Sequence, residues 1–83
     1  MDQQTVHDVV VDVLAGIAPD GDFTALDPER SLREQLDLDS LDFLAFVERI
    51  SERTGVPVRE EDYPTVDTLA GCTAFLAGGE TAR

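Results

Sequence analysis

The chain has 83 residues, with eighteen Asp and Glu against six Arg and no Lys, for a formal net charge of −12. A chain of this length buries only about 60–65% of its unfolded surface, enough for one modest core but not for a deep catalytic cleft beside it. The charge argues against nucleic acid and acidic membranes as partners, and for encounter with basic patches on other proteins.

The first element is an amphipathic helix over residues 3–17. Val6, Val9, Val10, Val13, Leu14 and Ile17 share one face, while His7, Asp8 and Asp12 fall outside it. Asp2 stands at the N-cap, and Pro19 with Asp20-Gly21 stops the helix. No basic leader precedes it, and Asp8 and Asp12 interrupt the Val-rich run. Neither a signal peptide nor a membrane span is expected, and the chain reads as cytoplasmic.

Residues 18–39 form a long connection. Phe23, Leu26, Leu32, Leu36 and Leu38 press it onto the core, and Ser31-Leu32-Arg33-Glu34 fits a capping box with one short helical turn. A second strong helix covers 40–54, with Phe43, Leu44, Phe46, Val47 and Ile50 as its apolar arc. Gly55 follows at the left-handed end position, and Val56-Pro57-Val58 is extended.

A single turn over 59–63 ends at Pro64, and Thr65 caps a last helix over 66–77. Its inward residues are Val66, Leu69, Ala70, Cys72, Thr73 and Leu76, with Phe75 facing away. Gly71 costs this helix about 1 kcal/mol relative to Ala. Cys72, the one cysteine, supports no internal disulfide and reads as a small buried helix residue. Residues 78–83 read as a flexible tail. The expected fold is all-α: a single domain over 1–83, ordered over about 3–77, built as a small bundle of three main helices plus one or two short turns.

The stretch Asp37-Leu38-Asp39-Ser40-Leu41-Asp42-Phe43 holds the functional question. Asp37, Asp39 and Glu48 match positions one, three and twelve of a calcium loop. Leu41 and Asp42 then occupy its fifth position and its glycine, and the loop would break the best helix, so no metal site is expected. A nucleophilic serine needs a base, and the only histidine is His7, near the chain start. Leu38 and Asp42 stand where a nucleophile elbow needs glycines. Local physics is satisfied by a cap alone: Asp39 at N-cap, Ser40 at N1, Asp42 at N3. Leu41 does not fit that reading. It lies in the polar arc beside Ala45, Glu48 and Glu52, an apolar knob ringed with charge, as a transient docking surface requires.

Asp39-Ser40-Leu41 opening a mid-chain amphipathic helix resembles the acyl carrier proteins, and the likeness extends from Val6 to Leu76. It includes Leu36 before the motif and the Gly55-Val56-Pro57-Val58 exit. The resemblance implies that Ser40 is esterified with 4′-phosphopantetheine, taken from coenzyme A by a phosphopantetheinyl transferase, and that Asp39 and Leu41 flank the attachment. It implies a carrier of acyl thioesters with no catalysis of its own. Asp39, Leu41, Asp42 and Glu48, with Glu52 more weakly, would face loading, condensing or modifying enzymes bearing basic patches. Arg49 and Arg53 dilute that negative stripe. A monomer is expected. Three features depart from the housekeeping fatty-acid carriers: Asp37 replaces a common glycine, Glu48 replaces an apolar contact residue, and Tyr63-Pro64-Thr65-Val66 looks more like polyketide or nonribosomal-peptide carriers. The alternatives are an aminoacyl or peptidyl carrier, or an unmodified acidic interaction module in which Ser40 is only part of a cap.

Overall fold

The computed structural model describes residues 2–79, and it is helical, with no strand among them. Helix α1, Gln3–Ile17, begins where expected because the Asp2 carboxylate accepts the Thr5 N–H at 2.8 Å. That hydrogen bond holds the Asp2 carboxyl below its ordinary pKa. A short 3-10 turn follows at Phe23–Ala25, then α2, Leu32–Gln35, and α3, Ser40–Thr54. A second 3-10 turn, Glu60–Asp62, leads into α4, Tyr63–Val66, and α5, Leu69–Gly79, closes the bundle.

Helix α1 is the central plank, packing against both α3 and α5. Val6, Val10 and Leu14 from α1, Leu32 from α2, Phe46 and Ile50 from α3, Val66 from α4, and Cys72 and Leu76 from α5 fill the centre. Among the described residues the buried set contains no polar or charged side chain. Each buried aliphatic or aromatic side chain contributes about 1.5–3 kcal/mol, so burial and not polar pairing holds the bundle together. Ile17, Ala70 and Thr73 lie at the edge of the core, half-buried.

Helix α3 starts and stops where the sequence places it, and Gly55 takes the left-handed conformation at φ +74°. Leu44 is a correction to the expected arc: it is 41% exposed. The core takes Phe43, Phe46, Val47 and Ile50, an i, i+3, i+4, i+7 stripe, and Leu44 falls on its outer margin towards Leu41.

The last quarter differs more. The single helix over 66–77 capped by Thr65 is two helices, α4 and α5. Pro64 sits in the first turn of α4, where its missing N–H costs nothing, and does not end a turn. The α5 cap is Thr68, whose Oγ1 accepts the Gly71 N–H at 3.0 Å. Phe75 is half-buried and packs on the core next to Cys72, its i−3 neighbour. Helix α5 runs to Gly79, two residues past the expected ordered end; the tail expected at 80–83 lies outside the described residues.

Gly71 has a steric reason to be glycine. A Cβ there would overlap the Thr65 carbonyl oxygen and press on Thr68 Oγ1 at 2.8 Å, where α5 crosses the end of α4. Helix propensity alone favours alanine by about 1 kcal/mol, but a backbone carbonyl cannot move aside cheaply. Gly71→Ala should therefore destabilise, by about 1–3 kcal/mol, read as a lower Tm in thermal unfolding. A raised Tm would mean that α4 and α5 can separate at no cost.

Candidate functional site

The segment that delivers Ser40 is built from the end of α2 to the start of α3. Ser31 caps α2, its Oγ accepting the Glu34 N–H at 3.3 Å, but only this half of the expected capping box forms: the Glu34 side chain does not accept the Ser31 N–H. The same hydroxyl donates to Asp67 Oδ2 at 2.7 Å, and Asp67 Oδ1 accepts the Arg33 N–H at 3.1 Å. The Asp67 carbonyl accepts the Leu32 N–H. One residue from the α4–α5 junction thus ties down the whole start of α2. Sequence reading missed Asp67 because its partners are 34 and 36 positions away and nothing local marks it.

Helix α2 ends on a left-handed residue. Asp37 has φ +56°, and the Leu38 N–H donates to the Arg33 carbonyl at 2.9 Å, the closing bond of a Schellman-type end. Aspartate tolerates this region better than most residues, and glycine tolerates it best. Leu38 is then buried, which anchors the chain one residue before the cap.

Asp39 and Asp42 form a reciprocal cap. Asp39 Oδ1 accepts the Asp42 N–H at 2.8 Å, and Asp42 Oδ2 accepts the Asp39 N–H at 3.4 Å. Ser40 is the first residue of α3 and is exposed. Among the described residues its hydroxyl has no hydrogen-bond partner, so it is not part of the cap. A free hydroxyl at the positive end of a 15-residue helix can accept a bulky anionic ester: the group projects into solvent, and its charge meets the dipole.

Leu41 is 76% exposed, and with Leu44 it forms an apolar pair on the outer face of α3. Asp39, Glu48 and Glu52 are exposed as well, and Asp42 is half-buried by its cap bonds. The two arginines behave differently from expectation. Arg53 pairs with Asp12 of α1 at 2.9 Å, and Arg49 reaches towards Gly16 of α1. Both lean into the α1–α3 seam, and the Leu41–Glu48 face keeps its negative character. His7 lines a groove between α1 and α5 with Phe23, Leu26 and Leu69, and makes no bond to Ser40. Among the described residues no group of three or more His, Cys, Asp or Glu side chains could hold a metal ion, and no helix is long and apolar enough to cross a membrane.

The family model for the phosphopantetheine attachment site matches residues 4–73, which spans α1 to the middle of α5. The chain belongs to that family. It is a phosphopantetheine-bearing carrier of the acyl carrier protein type, and 4′-phosphopantetheine is its covalent cofactor. Carrier domains of this kind are in general not catalysts but substrates of the enzymes they serve. No curated protein matches the chain closely enough to count as a relative.

The left-handed residue gives a direct test of how this carrier sets up α3. Asp37→Gly should unfold at the same or a slightly higher temperature, since it removes Cβ strain. Asp37→Val should cost about 1–2 kcal/mol, because a β-branched residue resists positive φ. Thermal melts of the two variants check the ordering; equal losses would mean that the Asp37 side chain, and not its backbone, matters.

Proposed function

We propose that Ser40 is the attachment residue and that the chain serves as an acyl carrier protein, presenting acyl groups to partner enzymes. One observation carries the reading: within the matched span, the exposed and unpartnered Ser40 hydroxyl opens α3 beside a completed cap. The Ser40 oxygen forms an ester bond to the phosphorus of the phosphopantetheinyl group as the pyrophosphate P–O bond of coenzyme A breaks, and adenosine 3′,5′-bisphosphate leaves with the electron pair of that bond. The serine proton leaves to a base of the transferase. When attached, the arm supplies a terminal thiol that carries acyl groups as thioesters.

The chain's own residues then act as handle and shield. Burial pushes the Cys72 thiol up to about 12, so it stays protonated near neutral pH and does not compete with the arm's thiol. Asp39, Leu41, Asp42 and Glu48, with Glu52 at the far end, offer a docking face to basic patches on the transferase and on acyl-loading, condensing and modifying enzymes. Exposed charges are screened within about 10 Å at 0.1 M salt, so this face acts on encounter rate and orientation more than on affinity. Weak binding suits a carrier that must leave. The Tyr63-Pro64-Thr65-Val66 segment, similar to that of polyketide and nonribosomal-peptide carriers, favours a cargo from those systems, aminoacyl groups included. The carrier acts as a monomer in the cytoplasm.

Incubation with coenzyme A, magnesium and a broad-specificity phosphopantetheinyl transferase should add one phosphopantetheinyl group by mass, and Ser40→Ala should add none. An unmodified wild-type chain beside an active control would instead favour an acidic interaction module. Leu41→Ala should leave stability within about 0.5 kcal/mol of wild type, as for other exposed sites, while slowing arm transfer or acyl loading. Unchanged transfer kinetics would remove Leu41 from the docking face.

A further inference from the structure

We propose that Arg33 is the counter-ion of the phosphodiester formed at Ser40 and directs the arm towards the α2 side of the protein. The proposal rests on Ser40 being the attachment residue. Attachment adds a negative charge to a site that already holds Asp37, Asp39 and Asp42, on a chain of net charge −12. The cap occupies the Asp39 and Asp42 N–H groups, so fewer helix-end donors remain for a phosphate. A nearby cation would offset the added charge.

Arg33 stands on α2, at the near end of the segment that leads to Ser40. Its guanidinium carbon lies 5.2 Å from the centroid of the Phe43 ring. Phe43 is three residues after Ser40 on the same helix, and residues at that spacing are neighbours, about 5–6 Å apart at Cβ. The root of the Arg33 side chain is fixed on both sides, its N–H bonded to Asp67 and its carbonyl to the Leu38 N–H. The ring beneath it is fixed too, with Tyr63 packed edge-on at 5.4 Å and Phe46 at 5.9 Å.

Arg33 also has capacity to spare. Arg53 is spent on Asp12, whereas Arg33 makes no ion pair with any described residue. A guanidinium lying against an aromatic face keeps donors for an anion, and its fork matches two phosphate oxygens. A contact on this side would hold the first bonds of the arm beside α2 and leave the Leu41–Leu44 face clear for partners.

The test compares apo and holo forms of wild type, Arg33→Gln and Arg33→Lys, with mass spectrometry confirming the modification in each. In wild type, attachment should shift the Arg33 Nε–H signal, and phosphorus-31 NMR should report a less mobile phosphodiester than in Arg33→Gln. At low salt the holo-minus-apo difference in Tm should be more favourable in wild type than in Arg33→Gln by roughly 1–6 °C. The gap should close in 1 M salt, where the screening length is about 3 Å. Arg33→Lys should fall between, since lysine keeps the charge and loses the fork. Comparing each variant with its own apo form cancels any effect on the fold alone. Complete modification with an unmoved Arg33 signal and equal Tm differences would overturn the role of Arg33 and leave the Ser40 assignment standing. Absence of modification in wild type would overturn both.

Discussion

The paired hydrogen bonds between Asp39 and Asp42 decide which residue opens α3, and the consequences of that choice run through the molecule. With the cap at Asp39, Ser40 is the first residue of the helix and lies in its exposed first turn, while Phe43, Phe46, Val47 and Ile50, at about 100° per residue, follow on the core face. A cap of this kind contributes only about 0.5–2 kcal/mol, so it does not hold the position unaided. The left-handed Asp37 turns the chain, buried Leu38 anchors it, and Asp67 pins the start of α2 from across the bundle.

The same short stretch separates two electrostatic tasks. Asp39 and Asp42 spend carboxylate oxygens on backbone N–H groups, which is structural work at the positive end of a dipole. Glu48 and Glu52 remain exposed beside Leu41 and Leu44, where a partner can reach them. The arginines of α3 are drawn to α1, with Arg53 bonded to Asp12, so they support the packing of α1 on α3 without neutralising the outer face. On α3, then, Arg53 and Arg49 turn towards α1 while Glu48 and Glu52 stay exposed on the outer face.

A core with no buried polar side chain among the described residues suits a carrier. Among the described residues no buried side chain is a charged or polar group poised for acid–base chemistry, and burial raises the pKa of the Cys72 thiol.

How much of this was legible in the amino-acid order depends on how far apart the interacting residues lie. The limits of α1 and α3, the caps at Asp2 and Asp39, the stop at Gly55 and the exposure of Ser40 and Leu41 all follow from residues within a few positions of one another. Periodicity and capping act over that range. The division of the last helix at Asp67, the role of Pro64, the exposure of Leu44, the Arg53–Asp12 pair and the Arg33–Phe43 stack came only with the folded chain. Asp67 leaves its helix to bond Ser31 and Arg33, and Arg53 finds a partner 41 positions away. Local sequence specifies which helices can form; which side chains meet, and which helix must break so that they can, is set by packing that no short window contains.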